Sequence, residues 1–179
     1  MDKILKLFIK EPNTEFHIRQ IAKLLKKSPT TISKYLKNYE KKEILESTKK
    51  FNHLLFKANI EGKKFKRVKL NYNLESIEKS NLIDFLEEKF KHPRAIVLFG
   101  SFAKAENINE SDIDILVVSP TKIDTNKIEL NKFENEIGNE IQLFAYTPKE
   151  IKKLKLTNKE LLNNWINGIV LHGYLEILK

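Results

Sequence analysis

Residues 95–119 read "AIVLFGSFAKAENINESDIDILVVS", and this stretch decides how the second half of the chain folds. "AIVLF" is a continuous apolar run of strand length, closed by Gly100. "IDILVV" is a second run, Ile113–Val118, and a short helical turn and a loop separate the two. The second run carries Asp112 and Asp114 at its start. Side chains alternate across a strand, so Asp112, Asp114, Leu116 and Val118 share one face, and Ile113, Ile115 and Val117 share the other. Two carboxylates so close repel each other, and desolvation adds to the cost. A divalent cation relieves both. Hard oxygen ligands with no Cys or His beside them suit Mg²⁺ or Mn²⁺.

Gly100-Ser101, a ten-residue gap, then Asp112-Ile113-Asp114 resembles the signature of the nucleotidyltransferases of the DNA polymerase β superfamily. The flanks "LFGS" and "SDIDILV" are similar to those of its minimal members, and the resemblance covers residues 92–146. It implies a small α/β domain with helices packed on a mixed sheet, a nucleoside triphosphate substrate and two divalent metal ions. It further implies that Asp112 and Asp114 are metal ligands and catalytic residues. Gly100 would let the backbone approach a phosphate, Ser101 would contact the triphosphate, and Lys104 would neutralise phosphate charge. Two positions depart from the family pattern. Ala105 stands where relatives usually have glycine. The third carboxylate belongs on a following strand, expected over residues 139–147, and aligning "IQL" with that motif puts Gln142 in its place. Glutamine can ligate a metal weakly but cannot accept the proton of an attacking hydroxyl. Glu140, two residues earlier, is the alternative on the same side.

The first half reads differently. Residues 2–10 and 17–27 have apolar residues at helical spacing, and Pro12-Asn13 stand between them. Ser28-Pro29 is a helix start, with serine to cap and proline at the first helical position. Ile32, Leu36 and Tyr39 then recur at helical spacing, leaving Thr30, Thr31, Ser33, Lys34 and Lys37 on the other faces. Two extended pieces follow around Lys49-Lys50-Phe51-Asn52. Helix, tight turn, helix and hairpin resemble the winged helix-turn-helix domains of bacterial and archaeal regulators over residues 1–60, although Lys26-Lys27-Ser28 replace the glycine often found at the turn. The expected DNA contacts are Thr30, Thr31 and Ser33 to base edges, and Lys34, Lys37, Lys49 and Lys50 to phosphates.

Charge supports that division. The chain has 179 residues and a net charge of +9. Residues 1–74 carry 19 Lys and Arg against 7 Asp and Glu, a balance of +12; residues 75–179 carry 14 against 17, a balance of −3. A basic module joined to a near-neutral one points to a polyanion, here double-stranded DNA, as partner of the first half. There is no cysteine, which excludes disulfides and thiolate metal sites. No apolar run reaches the ~18 residues of a membrane span, and no leader is visible, so a cytoplasmic protein is expected.

Residues 61–73 are ambiguous between helix and strand, with helix favoured by the Phe65–Val68 spacing. A long helix with a break near Ser80 follows. The tail reads as helical, with capping boxes at Thr147–Glu150 and Thr157–Glu160. Trp165, Ile166 and Ile169 are expected in the core. The whole is an α+β chain with a winged helix-turn-helix domain over residues 1–74 and a nucleotidyltransferase-like domain over 75–179. Two functions fit it. One is an enzyme that moves a nucleoside monophosphate to a hydroxyl. The other is a transcriptional regulator whose degenerate site binds nucleotide only, or is inactive. By resemblance, a separate helical toxin and a second copy of the chain are candidate partners.

Overall fold

The computed structural model describes residues 2–51 and 53–176. The chain divides into two compact units, Met1–Tyr72 and Asn73–Lys179, and the division falls within one long helix, α4 (Lys63–Lys79).

The first unit begins with α1 (Lys3–Lys10), capped by Asp2, whose carboxylate accepts the Ile4 backbone N–H at 3.1 Å. A two-residue strand, β1 (Phe16–His17), leads into α2 (Ile18–Leu25). Lys26 turns the chain with φ 52°, the left-handed conformation that glycine usually supplies. The missing glycine therefore leaves a tight turn in place at a cost of about 1 kcal/mol. In α3 (Pro29–Lys41) the Ser28 hydroxyl accepts the Thr31 backbone N–H at 3.1 Å, with Pro29 in the first turn. Strands β2 (Leu45–Lys50) and β3 (His53–Ala58) form an antiparallel hairpin. With β1 they make a three-stranded sheet in the order β1-β3-β2. The core is built from Ile4, Phe8, Ile21, Ile32, Leu36 and Phe56, all nearly inaccessible to solvent. β1 had no signal in the sequence: two residues are too few for an alternating pattern.

In the second unit α4 ends at Lys79 and α5 (Leu82–Lys89) begins after a break at Ser80-Asn81, with Asn81 left-handed at φ 57°. The segment 61–73, ambiguous in sequence, is helical from Lys63 onward as part of α4. A four-stranded mixed sheet follows, formed by β4 (Ala95–Phe99), β5 (Ile113–Val118), β6 (Ile141–Tyr146) and β7 (Ile169–Gly173). Its order is β6-β5-β4-β7; β5 runs parallel to β6 and antiparallel to β4, and β7 is antiparallel to β4. One face packs Ile96, Leu98, Ile113, Ile115 and Val117 with residues of α5 and α7 (Asn131–Ile137). The other packs Val97, Phe99, Leu116 and Val118 under α8 (Pro148–Thr157) and α9 (Lys159–Ile166), with Trp165 fully buried. Both faces of the sheet are covered, which is why β4, and β5 apart from Asp114, read as continuous apolar runs rather than alternating ones.

The tail departs from expectation in three places. It is not all helical, because β7 closes the sheet edge. Gly173, at φ 68°, lies so close to the Arg94 carbonyl that a Cβ would overlap it. Asn158, not Thr157, caps α9, its side chain accepting the Leu161 N–H at 3.0 Å; Thr157 is the last residue of α8. The expected capping box at Thr147 and Glu150 is present. Ile166 is 53% exposed rather than core, and Ile169 is partly buried. Among the described residues no helix is long and apolar enough to cross a membrane.

Candidate functional site

The two aspartates stand at the start of β5 on the face that carries Leu116 and Val118 into the core. Asp112 is exposed and precedes the strand; Asp114 is half-buried within it. Asp114 sits in a lateral row between Phe99 of β4 and Gln142 of β6. Burial pushes its carboxyl above the ordinary aspartate value of 3.8, and the Asp112 charge pushes it the same way. This is the paired-anion arrangement the sequence implied, with desolvation the larger cause.

Gly100 faces it directly. β4 ends at Phe99, and Gly100 begins a short helix, α6 (Gly100–Lys104), with φ 69°. A Cβ at this position would overlap Asp114 Oδ2 and lie 3.0 Å from its Cγ. Glycine is therefore required twice here, for the backbone angle and for the space the carboxylate occupies. Ser101 is half-buried beside it, and Lys104 is exposed in the last turn of α6. Ala105 ends the helix at φ 57°, a left-handed conformation at the position where glycine was expected.

The loop between α6 and β5 is fastened by amides that sequence reasoning did not single out. The buried Asn73 side chain donates to the Phe102 carbonyl at 3.0 Å and to Asn107 Oδ1 at 2.9 Å. Asn139 donates to the carbonyls of Asn109 and Ser111, both at 3.0 Å, bracing the residue before Asp112. The one available signal was Asn73 itself, a polar residue on the buried stripe of α4, four residues before Ile77.

Gln142 is exposed and in register with Asp114. Glu140 lies just before β6, exposed, and its backbone carbonyl accepts the Ile113 N–H at 2.8 Å. Among the described residues no three His, Cys, Asp or Glu side chains cluster to hold a metal, so Glu140 does not complete a three-acid site with the aspartates. A pair of carboxylates nevertheless fits Mg²⁺, which commonly takes one or two from the protein and completes its octahedron with water and substrate phosphate.

The expected DNA-contacting residues lie in the first unit. Thr30, Thr31, Lys34 and Lys37 are exposed on α3 and Ser33 is half-buried. Thr30, Lys34 and Lys37 follow the i, i+4, i+7 spacing of one helix face. The Thr31 hydroxyl is engaged, 2.8 Å from the Ser28 hydroxyl in the cap. Lys49 and Lys50 are exposed at the end of β2, but Lys50 pairs with Glu15 at 2.8 Å and so brings less unbalanced charge than its sequence position suggested.

A family model described as "nucleotidyltransferase domain" matches residues 79–172, which hold both aspartates and Gly100-Ser101. The chain belongs to that family. No curated protein and no solved structure matches it.

Proposed function

We propose that this protein binds double-stranded DNA through residues 1–74, as a winged helix-turn-helix domain, and that residues 75–179 transfer a nucleoside monophosphate from a nucleoside triphosphate to a hydroxyl. The observation that carries the second part is the juxtaposition of Asp112, Asp114 and Gly100 at the ends of β5 and β4 in a member of the nucleotidyltransferase family. The first part is supported by the element order α1-β1-α2-α3-β2-β3, the capped α3 with exposed lysines, and the +12 charge balance of residues 1–74.

Asp112 and Asp114 would hold Mg²⁺ or Mn²⁺. The bound cation supplies positive charge to orient the triphosphate and to stabilise the departing pyrophosphate. Gly100 leaves room for the Asp114 carboxylate beside the backbone, where a phosphate held by the cation would arrive. Ser101 would donate its hydroxyl to a phosphate oxygen, and the Lys104 ammonium would offset triphosphate charge. An acceptor hydroxyl attacks the α-phosphorus; a new P–O bond forms as the bond to pyrophosphate breaks. The proton of that hydroxyl needs an acceptor. Gln142 cannot serve, and Glu140 is the carboxylate that would take it.

The Gln142 position favours a second reading, in which the domain binds nucleotide and metal without turnover and the protein acts as a regulator. Incubation of the full chain with α-labelled triphosphates and Mg²⁺ separates the two. Labelled acceptor together with released pyrophosphate is the expected result, lost in D112N/D114N. Nucleotide binding without transfer would leave the regulator. For the DNA part, Lys34→Glu with Lys37→Glu should weaken binding of the full chain to all duplexes, by electrostatics that fade as salt rises.

A further inference from the structure

We infer that Phe51 is a stacking wedge that enters duplex DNA from the tip of the β2–β3 hairpin, an inference that rests on the DNA-binding reading above and names a contact it does not include. Phe51 is 97% exposed, more than any other large apolar side chain among the described residues. Among the described residues it makes no ring contact and is not part of a core cluster.

Its backbone is left-handed, φ 46°, in a turn position where glycine or asparagine costs least. A phenylalanine there carries two penalties, exposed apolar surface and backbone strain, with no return to the fold. Such a cost is expected where function requires the side chain.

The support beneath the ring is a paired ladder. The antiparallel ladder runs from Leu45↔Ala58 to Lys50↔His53, so paired backbone reaches the base of the two-residue connection. Lys49 and Lys50 immediately precede the ring and are both exposed. Lys50 is paired with Glu15, so Lys49 is the cation that would draw a polyanion to the ring beside it. The chemistry that matches cationic stems beside one projecting ring is a phosphate backbone with stacked bases behind it. Apolar side chains that enter the minor groove unstack a base step and kink the duplex. A flat ring can also stack on a base whatever its identity.

The test uses the full chain and a fluorescently labelled duplex, titrated at several salt concentrations, with wild type, Phe51→Ala, Phe51→Trp and Lys49→Gln. Because Phe51 is uncharged and exposed, Phe51→Ala should weaken binding about 5- to 100-fold, the range for loss of one stacked aromatic. The slope of log affinity against log salt and the melting temperature should both be unchanged. Phe51→Trp should restore affinity. Lys49→Gln should instead reduce the salt slope by about 0.9, the effect of one phosphate contact. A 2-aminopurine placed in the duplex should brighten with wild type and Phe51→Trp and stay dark with Phe51→Ala, since unstacking relieves its quenching. If wild type binds duplex DNA and Phe51→Ala binds equally well, the wedge is refuted while the DNA-binding reading stands. If Phe51→Ala loses only binding to anionic lipid vesicles, the ring serves a membrane surface and the wedge is again refuted. If wild type binds no duplex at low salt, both readings fall together.

Discussion

Gly100→Ala perturbs the site at its tightest point. The added methyl would be held at φ 69°, which costs an L-residue about 1–2 kcal/mol. It would also overlap Asp114 Oδ2, so the carboxylate must leave its rotamer at about 0.5–1.5 kcal/mol. Against this, alanine restricts the unfolded chain and returns about 0.4–1 kcal/mol. The net loss should be about 1–2 kcal/mol. The two structural costs can be separated in an Asp114→Ala background, where no carboxylate remains to be displaced. There Gly100→Ala should cost only about 0.5–1 kcal/mol, so a coupling of about 0.5–1.5 kcal/mol is expected between the two positions. Trp165 is the single tryptophan of the chain and is fully buried in the second unit, so its fluorescence during urea unfolding reports on the relevant domain. Equal costs in both backgrounds would refute the reasoning, because they would mean that Asp114 does not occupy the space beside Gly100.

Other perturbations test neighbouring parts of the account. Asp114 has its folded pKa raised, so in the metal-free protein its ionisation is a penalty fully present at neutral pH and relieved as pH falls through the folded value, above 3.8. Asp114→Asn should therefore melt higher than wild type at pH 7 without metal, and the gap should close on acidification. Gln142→Asp restores an acid in register with Asp114; it should tighten Mn²⁺ binding and lower metal-free stability, both read by thermal melting. Asn73→Leu removes the two hydrogen bonds its amide donates, to Asn107 Oδ1 and to the Phe102 carbonyl, and should cost about 1–3 kcal/mol in Trp165-monitored unfolding.

Much of the site was legible because its geometry is local. A strand has period two, so the face shared by Asp112 and Asp114 follows from two characters of sequence, and the β5 boundaries follow from an apolar run interrupted only by Asp114. Ser28-Pro29 likewise places the start of α3 without reference to anything distant. What could not be read depends on partners far along the chain. β7 is five residues whose strand identity comes from pairing with β4, some seventy residues earlier, and "IVLHG" alone fits a helix end equally well. Thr157 and Asn158 are both competent caps; the end of α8 consumes Thr157 and leaves the role to Asn158. The Asn73–Asn107 amide pair joins a helix to a loop thirty-four positions away, and each asparagine taken singly has the composition of a surface residue. The left-handed angles at Lys26 and Ala105 were invisible for another reason. They occur at residues that normally avoid them, and the glycine that each resemblance led one to expect there is absent from this chain.

The central claim is that Asp112 and Asp114 exist to hold a divalent cation for chemistry on a nucleoside triphosphate. A titration of Mg²⁺ with a non-hydrolysable triphosphate, followed by the thermal unfolding of the full chain through Trp165, tests it most directly. Wild type should melt progressively higher, with about 2.7 kcal/mol of stabilisation at a ligand concentration a hundred times Kd. D112N/D114N should start no less stable than metal-free wild type, since two crowded anions have become neutral, and should show no response. A wild type indifferent to metal and nucleotide, or a double mutant that responds as strongly as wild type, would contradict the account.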